Sequence, residues 1–127
     1  MEHKIKVAIK EPGKELEIKE ISDDLETLQK IVGGMIESFY PMENLEENGI
    51  VIFGNDEGKL NNPQSNFWLY NKQDCFCGTA IFFKDDEEGG MDSLQENDIL
   101  EIRKFLENNK MSERERLYMN NYIKGHF

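Results

Sequence analysis

Groups that perform covalent chemistry are scarce in this sequence. Histidine occurs twice, as His3 and His126 near the two ends, and cysteine twice, as Cys75 and Cys77 in one C-x-C. No internal histidine is present to act as a general base. No Gly-x-Ser-x-Gly elbow, Walker loop or His-Glu-x-x-His pair occurs. The base-plus-nucleophile pairing of an active site is missing, so the chain is not expected to be an enzyme. Two neighbouring cysteines and two terminal histidines cannot readily supply a four-ligand zinc site, so neither metal nor cofactor is expected. Nor do they form a disulfide framework. On a strand the two thiols would share a face about 7 Å apart and read as small buried hydrophobes.

Long apolar runs are also missing. Nothing approaches the roughly 18 apolar residues of a spanning helix. The start, Met1-Glu-His-Lys-Ile5, is charged at once and lacks the apolar core of a leader. A cytoplasmic location is expected, with no membrane partner. Positive charge is in short supply: 15 Lys and Arg face 26 Asp and Glu, a net charge of −11. A broad basic face for nucleic acid is therefore excluded. What remains open is a basic protein partner, or a few cations gathered into one pocket for a small anion.

The charge is uneven. Residues 1–20 balance, 21–58 carry −8, 59–84 carry +2, 85–108 carry −7 and 109–127 carry +2. At 127 residues one domain is expected over 1–127, with its core at about 4–108. Residues 109–127 form a C-terminal helix or tail that can make an oligomer contact.

Alternation at Ile5, Val7 and Ile9, a Pro-Gly turn, and alternation at Leu16 and Ile18 predict an N-terminal hairpin. Asp23 and Glu26 suit a capping box. It opens a helix whose apolar face is Leu25, Leu28, Ile31 and Val32, and Gly33-Gly34 stops it. Strands follow at 35–40, closed by Pro41, and at 49–54, with an acidic loop at 42–48 between them. Residues 55–74 read as a long amide-rich connection, and 75–83 as one central strand with no charge on either face. Capping boxes at Ser93/Glu96 and Ser112/Glu115 then open two C-terminal helices. The expected fold is α+β: a small, mostly antiparallel sheet of about five strands, one helix after the hairpin, and two C-terminal helices.

Two groups of residues can bind a ligand. In the 55–74 connection Trp68, with Phe67 and Tyr70, can stack on a flat base, and Asn66 can pair with its edge. The competing reading is that the aromatics lid the core and the asparagines serve turns. The three arginines, Arg103, Arg114 and Arg116, lie within 14 residues near the C-terminus. Arg holds phosphate through bidentate contacts, so the three can form an anion pocket; ordinary surface pairing with Glu101, Glu107, Glu113 or Glu115 is the alternative. Association of C-terminal helices through Phe105, Leu117, Tyr118 and Tyr122 would bring arginines of two subunits together. The run Asp85-Asp86-Glu87-Glu88 reads as a solvated turn.

Val32-Gly-Gly-Met-Ile-Glu37, Asn55-Asp-Glu-Gly-Lys-Leu-Asn61 and Cys77-Gly-Thr-Ala-Ile-Phe82, in this order, resemble a family of short phage and plasmid proteins of unassigned function over about residues 4–108. That family's middle loop has Pro-x-Asn-Arg; here Pro63-Gln-Ser-Asn66 is followed by Phe67, so nothing stands in for that Arg. The architecture also resembles the phage anti-Thoeris sponges, which sequester cyclic ADP-ribose isomers without catalysis. This second resemblance implies Phe82 as a base-stacking residue and Arg103, Arg114 or Arg116 as pyrophosphate contacts. It further implies a homo-oligomer in the host bacterial cytosol that captures a nucleotide immune signal, a cyclic ADP-ribose isomer or a cyclic oligonucleotide. The alternative function is an acidic inhibitor whose faces at 43–57 and 85–101 occupy the basic nucleic-acid site of a host defence enzyme.

Overall fold

A computed structural model describes residues 3–40, 44–60 and 62–126. In chain order its elements are β1 (Lys4–Lys10), β2 (Glu17–Ser22), α1 (Leu25–Val32), β3 (Ile36–Phe39), α2 (Asn44–Glu47) and β4 (Ile50–Asn55). There follow β5 (Ser65–Leu69), β6 (Asp74–Cys77), β7 (Ala80–Asp85), β8 (Met91–Asp92), α3 (Glu96–Asn108) and α4 (Glu113–Lys124). The architecture is α+β. A six-stranded sheet runs β2-β1-β7-β4-β3, with β8 on the far part of β7, and every pairing in it is antiparallel. Strands β5 and β6 form a separate two-stranded ribbon. No helix among the described residues is long and apolar enough to cross a membrane.

The period-2 alternation of strands sorts side chains into two cores. Across the sheet Ala8, Phe82 and Ile52 stand in register, as do Ile9, Ile81 and Phe53 one residue along. The first row faces a core shared with Phe67, Phe76, Leu94 and Ile102. The second row, with Ile5, Val7 and Val51, faces Leu28 and Val32 of α1. The ribbon β5–β6 is buried on both sides. Phe67 and Phe76 stack at 5.0 Å on the side facing the sheet. Trp68, Cys75 and Cys77 face a third cluster completed by Met111 and by Ile123 of α4.

That burial explains two departures from the sequence reading. Residues 55–74 are not one long connection, because β5 lies within them; its amide-rich flanks mask an apolar Phe67-Trp68-Leu69 that is hidden on both faces. Residues 75–83 are not one strand. Gly78 takes φ +89, where a side chain would be strained. The chain turns there, leaving β6 paired with β5 and sending β7 between β1 and β4.

Smaller corrections concern helix starts. Asp24, not Asp23, caps α1, accepting from the Thr27 N–H at 2.8 Å. The box of α3 is Gln95 with Asp98; Ser93 instead accepts from the Lys6 N–H at 2.9 Å. The acidic loop contains the short α2. The expected box at Ser112 and Glu115 is present. Pro41, expected to close β3, lies outside the described residues, as do Asn61 and the first part of the 42–48 loop.

Candidate functional site

Five of the chain's 15 basic residues gather where the β1–β2 turn, the start of β5, the end of α3 and the α3–α4 link approach one another. They line a cavity of about 570 Å³, within the range of small-molecule sites. Lys10, Lys14, Arg103, Lys110 and Arg116 line it, against only two acids, Glu15 and Glu107. Leu16, Phe67, Leu106 and Met111 give it an apolar part.

Each cation is positioned by local structure. Lys10 ends β1, and its Nζ donates to the Glu11 carbonyl at 2.9 Å and to Asn66 Oδ1 at 3.1 Å. Asn66 is itself buried, and its Nδ2 donates to the carbonyls of Lys10 and Gly78, each at 2.8 Å. Asn66 thus ties β1, β5 and the Gly78 turn together and fixes the Lys10 ammonium.

Lys110 is set by backbone pairing. It bridges to Phe67, and the Trp68 N–H donates to the Asn109 carbonyl at 2.8 Å. Arg103, Leu106 and Glu107 share one face of α3 at three- and four-residue spacing.

Arg116 follows the reciprocal cap of α4: the Glu115 N–H donates to Ser112 Oγ at 3.1 Å, and the Ser112 N–H to Glu115 Oε1 at 2.9 Å. Its Nε donates to the Ser65 carbonyl at 3.2 Å. Its guanidinium lies over Gly13, where an added Cβ would sit 2.7 Å from Nη1. Gly13 also has φ +75, so both space and backbone call for glycine.

The electrostatics are one-sided. Lys14 pairs with Glu11 at 3.5 Å, but both are exposed and the pair contributes little. Among the described residues, no ion pair includes Lys10, Arg103, Lys110 or Arg116. Burial holds the Lys10 ammonium below the usual lysine range, and Arg116 and Lys110 push it the same way. The cleft can neutralise a multiply charged anion while packing a flat or apolar group beside it.

Of the residues singled out from sequence, Arg103, Arg116 and Asn66 meet in this cleft. Arg114 is exposed near the start of α4 and does not line it. Phe82 is fully buried at the centre of the sheet, with Phe67 at 6.0 Å and Phe105 at 6.3 Å, and offers no ring face to a base. Trp68 lids the third cluster. Its indole N–H makes no hydrogen bond of normal geometry.

Phe105, expected in a subunit contact, packs inward on Phe67 and Phe82. Leu117, Tyr118 and Tyr122 are exposed, and Tyr118, Tyr122 and His126 form a ladder of stacked rings. The sequence reading missed Lys10, Lys14 and Lys110, which only long-range pairing brings to the arginines.

A second cavity of about 280 Å³ is lined by Phe39, Asn55, Lys59, Asp74, Cys75 and Cys77 among others. Among the described residues no three His, Cys, Asp or Glu side chains gather as a metal site. No curated protein and no solved structure matches the chain. A family model described as a domain of unknown function (DUF3846) matches residues 5–107, and the chain belongs to that family.

Proposed function

We propose that this member of the DUF3846 family binds a small phosphate-bearing molecule, a nucleotide, in the basic cleft and holds it without transforming it. One observation carries the reading. In a chain of net charge −11, Lys10, Arg103, Lys110 and Arg116 line one cavity and none has a carboxylate partner among the described residues. Arginine and lysine together suit a diphosphate, the first through its fork and the second as a point charge. The partly buried Leu16 and Leu106 supply the apolar part that a base requires. Among the described residues no Ser, Thr, Cys or His lines the cavity.

On the resemblance to the phage anti-Thoeris sponges, the reading extends to a counter-defence role: sequestering a cyclic ADP-ribose isomer or a cyclic oligonucleotide. In that role the exposed Leu117, Tyr118 and Tyr122 of α4 join copies of the chain.

A thermal-shift screen with ADP-ribose, its cyclic isomers, cyclic dinucleotides and ATP tests the reading. A ligand at 100 times its Kd stabilises the fold by about 2.7 kcal/mol, a shift of several degrees for a domain this size. The double variant Arg103→Ala/Arg116→Ala should lose that shift. No shift with any of these ligands would sink the proposal.

The exposed Asp86, Glu87 and Glu88 favour a second reading, an acidic inhibitor of a basic host protein. Capture of such a partner at low salt and its release at high salt would support that reading over the first.

A further inference from the structure

Sulfur is concentrated in one place outside the cleft's cation cluster. Both cysteines, Met111 and Met119 meet against Trp68 and Ile123 in the cluster between the ribbon and α4. Strand β6 points Cys75 and Cys77 to the same side, two residues apart, and their Sγ atoms stand 3.9 Å from each other. Two metal–sulfur bonds of about 2.3 Å span that distance at an angle of roughly 116°, between the tetrahedral and trigonal values. The separation of the pair therefore suits chelation of one ion.

The pair also borders a cavity. Both cysteines are among the lining of the second cavity, together with Lys59 and Asp74. Ser65 Oγ lies 3.8 Å from Cys75 Sγ, as an outer hydrogen-bonding group.

We propose that Cys75 and Cys77, with a methionine thioether of the same cluster, form a binding site for a soft monovalent metal ion, Cu(I). Thiolate and thioether ligands select Cu(I), and this ion accepts two or three sulfurs. Zinc would want four ligands, and no third His, Cys, Asp or Glu stands with the pair among the described residues.

Binding forms two copper–thiolate bonds and one copper–thioether bond, releases the two thiol protons to solvent and leaves the copper oxidation state unchanged. The two thiols lie outside the nucleotide cleft, so either proposal can fail without the other.

The test is an oxygen-free titration of the full chain with Cu(I) against a bicinchoninate competitor. One Cu(I) per chain should be taken from the competitor, with a sulfur-only nearest shell in X-ray absorption and loss of binding in Cys75→Ser/Cys77→Ser. If that variant fails to fold, the wild type still decides: bound Cu(I) should protect both cysteines from alkylation, read by mass spectrometry. Failure to compete for copper would overturn the proposal. So would a nitrogen or oxygen shell, binding that persists without the thiols, or cysteines alkylated as fast with metal as without.

Discussion

In the turn after β7, Asp85 accepts from the Glu87 N–H at 3.1 Å, and Asp86 from the N–H groups of Glu88 at 2.8 Å and Gly90 at 2.7 Å. In the cleft, Lys10, Arg103, Lys110 and Arg116 line one cavity, and among the described residues none of them is in an ion pair, although Glu15 and Glu107 share the lining. The difference is one of use. Asp24 caps a helix, and Asp98 closes a capping box while pairing with Lys84 at 3.0 Å. Such acids hold local backbone in place. The cleft cations repel one another and leave that cost standing in the free protein, as binding sites commonly do.

The sharpest way to break this comparison is Asp98→Ala. Asp98 is buried, and its loss leaves Lys84 without its charge partner and the Gln95 N–H without an acceptor. Urea denaturation should show a loss of about 3 kcal/mol, while affinity for pyrophosphate stays within about twofold at temperatures where the variant remains folded.

Arg116→Ala should do the reverse. Affinity for pyrophosphate should fall by about 2 kcal/mol, roughly 30-fold, in calorimetric titration. Stability should change by less than about 1 kcal/mol.

Raising the pH toward the ordinary lysine range sharpens the comparison at Lys10. Its folded pKa lies below its unfolded value, so the ammonium is lost as pH rises through the lowered folded value. Anion affinity should fall over that range, by about tenfold at most, and Lys10→Arg should flatten the profile. Stability responds with the opposite sign. The penalty of the charged, half-buried Lys10 is fully present below the folded pKa and is relieved as pH climbs toward the unfolded one. The smallest effect belongs to Glu87→Gln/Glu88→Gln, which should change stability by less than about 0.5 kcal/mol and pyrophosphate affinity by less than twofold.

Much of the fold was legible because periodicity and caps act locally. Ile5, Val7 and Ile9 alternate as a strand must, and Leu28 and Val32 sit one helical turn apart above a glycine stop. What escaped was set by distant partners. The apolar run from Cys75 to Phe83 has no internal sign that Gly78 will divide it between two sheets, since each half is buried by different elements. Trp68 faces one way and Phe67 the other because α4 and the sheet cover opposite sides of the ribbon. The cleft was half legible. Arginine stands out in a chain that has only three, so Arg103 and Arg116 were candidates. Lys10 resembles any strand-end lysine until Asn66, 56 positions later, is hydrogen-bonded to it.

The most direct measurement is a heteronuclear NMR titration of the chain with inorganic pyrophosphate at fixed ionic strength, following backbone amides and arginine Nε–H signals. Separation of binding cations from structural acids predicts saturable shifts at residues 10–16, at Asn66 and Phe67, and at Arg103, Lys110 and Arg116, with the amides of 85–90 unmoved. Shifts confined to other surfaces, or none at millimolar pyrophosphate, would contradict it.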